Sequence, residues 1–127
     1  MPHFIIECSE NVLQLQPAGK LVDAVYEAAE HTGLFAENDI KVRLNRYADY
    51  RLGTDKNGFV HVFGYIMQGR SIEQRADLSK TITERLNTML PELSIVSVNI
   101  SEFEKATYCN KALLHPMNTD GNRHFTA

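Results

Sequence analysis

Three groups of residues in this sequence could move a proton or hold an anion. The first is Pro2, which follows the initiator Met1 in the opening "MPHFIIEC". If Met1 is removed, the Pro2 nitrogen becomes a free secondary amine, which no other standard residue provides at an N-terminus. An α-amine titrates at ~7.7–8.0, close enough to neutrality for general base catalysis. Because proline is also tolerated at the first position of a strand, its place alone does not decide its role.

The other two groups carry positive charge. Arg70 stands in "QGRSIEQR", where a Gly-Arg-Ser turn opening a helix places the guanidinium beside free backbone N–H groups and the positive end of the helix dipole. Such a position suits a carboxylate. Lys41 and Arg43 in "IKVRLNRY" share the polar face of a predicted strand. Each group also has a structural interpretation, since arginine is common at helix starts and a charged strand face is often only solvated.

The charge balance favours a small anion over a polyanion as the partner. The 127 residues are 43% hydrophobic and 23% charged, with a formal net charge of −3, and the sequence pI is near 5.9. Without general basicity, we expect neither nucleic acid nor a membrane surface as a partner. A small acid would have to be bound by locally placed cations.

The sequence predicts a cytoplasmic protein with free thiols and no metal. Cys8 and Cys109 are far apart and form no C-x-x-C motif. No apolar run approaches the ~18 residues of a membrane span, and the N-terminus lacks the regions of a secretion signal. The histidines have no metal-ligand spacing, and two of them, His115 and His124, fall in the tail. A nucleophilic Cys8 is conceivable, but its alternation with apolar residues favours a packing role.

The hydrophobic pattern predicts four strands and two helices. Strand patterns cover residues 3–8, 40–47, 59–67 and 94–103. Helical periodicity covers residues 20–33 and 71–90. Gly33 is placed to end the first helix. Ser71, with Gln74 three residues later, forms a capping-box signature at the start of the second helix, which Pro91 ends.

These elements form two similar β-α-β halves, at about residues 2–48 and 59–104, within a single domain of residues 1–127. Within each half, the strand–helix–strand order predicts parallel pairing with a right-handed crossover. The four strands would form one mixed sheet with both helices on one face, an α+β fold built as a two-layer α/β sandwich. Residues 105–127 form a polar, irregular tail. The other sheet face would expose apolar residues, which predicts packing between copies of the chain.

Five stretches of the sequence occur together in one known superfamily. They are "PHFIIECSEN" at the N-terminus, "TGLF" at the end of the first helix, "IKVRL" on the second strand, and "FVHV" and "GRSIEQR" in the second half. Together they resemble the tautomerase superfamily, and most closely the 5-carboxymethyl-2-hydroxymuconate isomerase family. The resemblance runs to about Glu104. The "GRSIEQ" segment is also similar to 4-oxalocrotonate tautomerase, whose subunit corresponds to one half of this chain.

The resemblance implies a homotrimer of the tautomerase fold, with active sites near subunit boundaries and no cofactor. It implies that Pro2, once exposed, is the general base, which takes a proton from the carbon next to an enol or keto group and returns it at the far end of the conjugated system. It assigns Arg70 to a substrate carboxylate or to developing oxyanion charge, with Lys41 and Arg43 as further substrate-binding residues. The implied substrate is a di- or tricarboxylate such as 5-carboxymethyl-2-hydroxymuconate, from the catabolism of aromatic acids.

Lys41 departs from the family pattern, because we align it with an arginine, whereas Arg43 aligns with a second arginine. Lysine keeps the charge but lacks the planar bidentate fork, so we expect carboxylate binding to persist and substrate preference to change. Two alternatives remain open. An N-terminal proline beside cations could support hydration, as in dehalogenases and decarboxylases of the superfamily. The chain could also be a non-catalytic trimer that binds a small acid or a protein partner.

Overall fold

A four-stranded sheet forms the centre of the computed structural model, which describes residues 1–36 and 38–114. The strands are β1 (His3–Ser9), β2 (Lys41–Tyr47), β3 (Phe59–Met67) and β4 (Ile95–Phe103). The α-helices are α1 (Val12–Leu15), α2 (Ala18–His31) and α3 (Ile72–Met89). Two 3-10 helices, Lys105–Thr107 and Lys111–Leu114, follow β4. The rest of the predicted tail, residues 115–127 with His115 and His124, lies outside the described residues.

The strand order β2-β1-β3-β4 confirms the predicted fold class. β1 pairs in parallel with β2, and β3 pairs in parallel with β4, so each half is a β-α-β unit. The halves meet through antiparallel pairing of β1 with β3, in which Phe4 is opposite Gly64 and Ile6 is opposite Val62. The sheet is therefore mixed.

The hydrophobic core lies between one face of the sheet and the two long helices. Alternate residues of the central strands, such as Phe4 and Val62, are fully buried. α3 meets them with Leu78, Ile82 and Leu86, whose spacing of four residues places them on one helical face. Burial of each such side chain stabilises the fold by roughly 1.5–3 kcal/mol. α2 contributes Leu21 and Val25 to the same core cluster, so both long helices pack on one sheet face, as the sequence predicts.

Gly64 allows the two halves to pack closely at the centre of the sheet. A Cβ atom at this position would lie 2.6 Å from Cδ1 of Ile100 and 3.0 Å from Cε1 of Phe4. Real side chains essentially never approach so closely, so any larger residue would displace its neighbours. The missing side chain of Gly64 thus makes room for the core residues of β1 and β4.

The ends of the two long helices confirm the signals predicted from the sequence. The Ser71 side chain accepts the Gln74 N–H at 3.0 Å, and the Gln74 side chain accepts the Ser71 N–H at 2.9 Å, which completes the capping box. Gly33 follows α2 with φ +71°, a conformation suited to glycine. The short helix α1 was not predicted, because it falls between the strand and helix patterns of the sequence. A four-residue helix is too short to produce a recognisable 3.6-residue period.

The pairing pattern gives the sheet two different ends. Because β1 and β2 run opposite to β3 and β4, the starts of the first two strands lie at the same end as the termini of the last two. At the opposite end, Asn57 donates its N–H to Ser94 Oγ at 3.0 Å and accepts a hydrogen bond from the Asn11 side chain at 2.9 Å. The N-terminus of the chain therefore lies at the end of the sheet where β3 and β4 terminate.

The sheet face away from the helices carries both polar and apolar side chains. His61 contacts Ser97 Oγ at 2.7 Å and Asn99 Oδ1 at 2.6 Å. Ile5 is half-buried opposite Phe63, and Tyr65 is 38% exposed. This mixed surface is the face on which the sequence predicts contact between copies of the chain.

Candidate active site

Pro2 lies immediately before β1 and lines a cavity of about 290 Å³ at the N-terminal end of the sheet. It is buried, and its carbonyl accepts the Lys41 N–H at 3.2 Å, which holds it against the start of β2. The other residues lining the cavity are Met1, Phe35, Asp39, Met67, Gln68, Arg70 and Lys105. The residue predicted to be a base therefore lies in a cavity with room for a small molecule.

Arg70 lines the same cavity, so the structure brings together the predicted base and a predicted carboxylate ligand. Gly69, with φ +123°, turns the chain between β3 and α3 immediately before it. The Arg70 Nη2 donates to the Leu34 carbonyl, and the guanidinium carbon lies 5.1 Å from the centre of the Phe35 ring. These contacts orient a side chain with five N–H donors and leave further donors for a ligand.

Asp39 also lines the cavity and was not predicted from the sequence. In the structure Met1 is attached, and its ammonium forms an ion pair with Asp39 Oδ2. The Asp39 N–H donates to the Ala36 carbonyl at 3.1 Å, and Asn38 adopts φ +67°, which asparagine tolerates. The hydrogen bond from the terminal ammonium, together with the charge of Lys41, holds the pKa of Asp39 below its usual value. A carboxylate thus lies beside the chain terminus.

Lys41 and Arg43 are not brought into this cavity. Both are exposed on β2, on the sheet face away from the helices. Lys41 Nζ donates to the Asp39 carbonyl at 2.8 Å, and Arg43 Nη1 contacts His3 Nδ1 at 3.3 Å. Burial, followed by the charges of Arg43 and Lys41, lowers the pKa of His3 and favours a neutral imidazole that can accept from Arg43. These two cations therefore contact neighbouring groups of the chain and lie outside the cavity.

Gln68 and Lys105 also line the cavity and were missed from sequence. Gln68 donates its N–H to the Phe103 carbonyl at 3.0 Å, and its side-chain oxygen accepts the Lys105 N–H at 2.6 Å. Each residue comes one or two positions after a strand, in a segment that reads only as a turn. The sequence shows only that both residues follow predicted strands. The antiparallel pairing of β1 and β3 is needed to place the ends of those strands beside Pro2.

The structure favours a packing role for Cys8. Its side chain is fully buried, and burial raises the pKa of the thiol, which disfavours the thiolate needed for nucleophilic attack. Within residues 1–36 and 38–114, no group of three or more His, Cys, Asp or Glu side chains is arranged to hold a metal ion. In the same part of the chain, no helix is both long and apolar enough to cross a membrane.

Comparison with known proteins assigns this fold and cavity to a family. The family model of 5-carboxymethyl-2-hydroxymuconate isomerase matches residues 2–117. The chain is 29% identical over 90 residues to the 5-carboxymethyl-2-hydroxymuconate Delta-isomerase of Escherichia coli, and the match covers 69% of this chain and 71% of that relative. The family match thus extends over nearly the whole chain.

Solved structures share the architecture. A 5-carboxymethyl-2-hydroxymuconate isomerase from Deinococcus radiodurans R1 superposes with a TM-score of 0.75 at 23% identity, over 87% of this chain and 88% of that one. A symmetric trimer described as wild-type fused 4-OT superposes with a TM-score of 0.71 at 16% identity, over 86% of this chain and 91% of that one. At these identities the structures establish the fold, and the family model establishes the kinship. This protein is thus an isomerase of the tautomerase superfamily, and the chain belongs to the 5-carboxymethyl-2-hydroxymuconate isomerase family.

Proposed function

We propose that the mature enzyme begins at Pro2 and uses the prolyl amine as the general base of a cofactor-free proton transfer. The observation that carries this proposal is the shared cavity of Pro2 and Arg70. With Met1 attached, the Pro2 nitrogen is an amide, which is neither basic nor able to donate a hydrogen bond. Removal of Met1 would therefore create the base and open the space that Met1 occupies in the cavity.

The proposed substrate is a carboxylated 2-hydroxymuconate such as 5-carboxymethyl-2-hydroxymuconate. When the substrate is in its keto form, Pro2 takes a proton from the carbon next to the carbonyl, and a dienolate forms. The resulting prolyl ammonium then returns that proton to the far carbon of the conjugated system. The reaction moves one proton and one double bond with no net change in composition, so it needs no redox partner.

Arg70 supports this chemistry in two ways. Its guanidinium can bind a substrate carboxylate in a bidentate manner or hold the oxyanion charge that develops in the dienolate. Its charge also lowers the pKa of a nearby amine, bringing a base with an ordinary value of ~7.7–8.0 closer to neutral pH. One cation would thus assist both the base and the anion.

We propose that the enzyme is a homotrimer in which Lys41 and Arg43 bind substrate at a subunit boundary. Their exposure on the sheet face away from the helices supports this, because that face also carries Ile5 and Phe63. The solved fused 4-OT of the same fold is described as a trimer. Light scattering of the purified protein should give a mass three times the 14.4 kDa of one chain.

The decisive experiment relates activity to the state of the N-terminus. Preparations with different fractions of retained Met1, measured by intact mass, are assayed on 2-hydroxymuconate and its 5-carboxymethyl derivative by ultraviolet absorbance. We expect kcat to rise in proportion to the Met-free fraction. We also expect Pro2→Ala to lower kcat by about 10²-fold or more, the usual contribution of a general base. Pro91→Ala, at an exposed position after α3, is the matched control.

Three results would contradict the proposal. Full activity in a preparation that retains Met1 would show that the Pro2 amine is not required. A Met-free protein that is inactive on both enols would exclude this substrate class. Activity that Pro2→Ala leaves unchanged would assign the proton transfer to another group.

A further inference from the structure

Two cations of the cavity have no carboxylate partner in the described part of the chain. Arg70 and Lys105 both line the cavity with Pro2. Among residues 1–36 and 38–114, neither Arg70 nor Lys105 lies within 4.0 Å of a carboxylate. The Lys and Arg residues that do are Lys41, Lys56, Arg75 and Arg85. Arg70 donates to the Leu34 carbonyl, which has no formal charge. The cavity thus contains two cations available to a ligand.

Two carboxylates at this end of the sheet, those of Glu102 and Asp39, already interact with other groups. Glu102, near the end of β4, accepts the Gly69 N–H at 3.3 Å and lies 3.5 Å from Arg75 Nε. Asp39, which also lines the cavity, pairs with the terminal ammonium and with Lys41. Among residues 1–36 and 38–114, no carboxylate lies within 4.0 Å of Lys105, so its ammonium can interact with an anion that enters from solvent.

The backbone of Lys105 is held in place at the edge of the cavity. Its N–H donates to the Gln68 side chain at 2.6 Å, and Gln68 is itself held by the hydrogen bond from its N–H to the Phe103 carbonyl at 3.0 Å. Lys105 also begins a 3-10 helix, in which the Tyr108 N–H donates to its carbonyl at 3.2 Å. Its side chain is long and exposed, so the ammonium can reach a ligand from a fixed starting point.

We propose that Lys105 binds the second carboxylate of the substrate while Arg70 binds the first, so that the enzyme selects dicarboxylates over monocarboxylates. The inference rests on the proposed function and names its specificity determinant. A cavity of about 290 Å³ has room for a six-carbon dicarboxylate. The Asp39 carboxylate next to the chain terminus would repel an anionic group on that side, which makes Arg70 and Lys105 the favourable positions for the substrate carboxylates.

The test compares Lys105→Gln with wild type in the Met-free protein. The substrates are 2-hydroxymuconate, a dicarboxylate, and 2-hydroxy-2,4-pentadienoate, a conjugated enol with one carboxylate. We expect Lys105→Gln to lower kcat/KM for the dicarboxylate about ten-fold, mainly by raising KM. The kcat/KM for the monocarboxylate should change less than two-fold. Lys105→Arg should retain most of the preference because it keeps the charge. Lys111→Gln removes an exposed tail lysine that does not line the cavity, and it should match wild type.

A binding measurement separates this inference from the proposed function. Calorimetric titration with cis,cis-muconate, which has two carboxylates but no hydroxyl group to tautomerise, needs no turnover. If no enol is turned over but Lys105→Gln weakens muconate binding about ten-fold relative to Lys111→Gln, the proposed reaction fails and the Lys105 site stands. Equal losses of kcat/KM on both substrates would overturn the inference. So would identical muconate affinities in wild type and Lys105→Gln.

Discussion

If the Pro2 amine is the base, as proposed, replacing Asp39 by asparagine should lower the pKa of that amine. In the structure the Asp39 carboxylate pairs with the terminal ammonium of Met1. The Pro2 nitrogen lies one residue further along, about 3–4 Å from that ammonium. After Met1 is removed, the carboxylate therefore remains within roughly 6 Å of the Pro2 amine. A negative charge at this distance stabilises the protonated amine and raises its pKa, so its removal has the opposite effect.

The size of the change follows from the distance between the charges. At roughly 6 Å, two unit charges interact by about 0.7 kcal/mol in water and about 2.8 kcal/mol at an effective dielectric constant of 20. These energies correspond to pKa changes of about 0.5 and 2. Because the Asp39 side chain is 33% exposed, we expect a decrease of about 1.

The assay is the pH dependence of kcat/KM on 2-hydroxymuconate, whose acid limb reports the pKa of the base in the free enzyme. If this pKa falls by about 1, then one pH unit below the wild-type pKa the fraction of unprotonated amine rises about five-fold, from roughly a tenth to a half. The acid limb of Asp39→Asn should move to lower pH accordingly. Asp49→Asn, which removes an exposed carboxylate beyond the other end of β2, is the control and should leave the limb in place. An unchanged limb in Asp39→Asn, or one moved to higher pH, would refute the reasoning.

Two further predictions concern the parts of the fold that hold the site together. Gly64→Ala should lower the free energy of unfolding by about 1–3 kcal/mol, because its Cβ would lie 2.6 Å from Ile100 Cδ1. Gly19 lies in α2, where a Cβ would have nothing within 4 Å, so Gly19→Ala should raise the free energy of unfolding by up to about 1 kcal/mol. Urea denaturation measures both variants, and a higher stability of Gly64→Ala than of Gly19→Ala would contradict the packing argument. Ser71→Ala removes the cap of α3 and should cost about 1 kcal/mol, measured by thermal unfolding. An equal loss in Ser101→Ala, at an exposed strand position, would show that capping is not the cause.

Local patterns in the sequence were sufficient to predict the four strands and the two long helices, but not α1 or the two 3-10 helices. The strands and long helices follow from hydrophobic periods of two and 3.6, which each segment carries within its own residues. Ser71 and Gly33 mark helix ends by chemistry that involves only the adjacent turn. The parallel pairing within each half follows from its strand–helix–strand order. The same local reasoning singled out Pro2 and Arg70 as candidates, because a proline at position 2 and an arginine at a helix start are visible in the sequence itself.

The composition of the cavity was decided by the tertiary structure. Antiparallel pairing of β1 with β3 is what places the start of β1 beside the segments that follow β3 and β4. This pairing brings Pro2, Asp39, Arg70 and Lys105 together and leaves Arg43 on the outer face of β2. It depends on hydrogen bonds and packing between residues about sixty positions apart, and no single segment contains that information. The sequence therefore determined which groups could act, whereas contacts between distant segments determined which of them share a cavity.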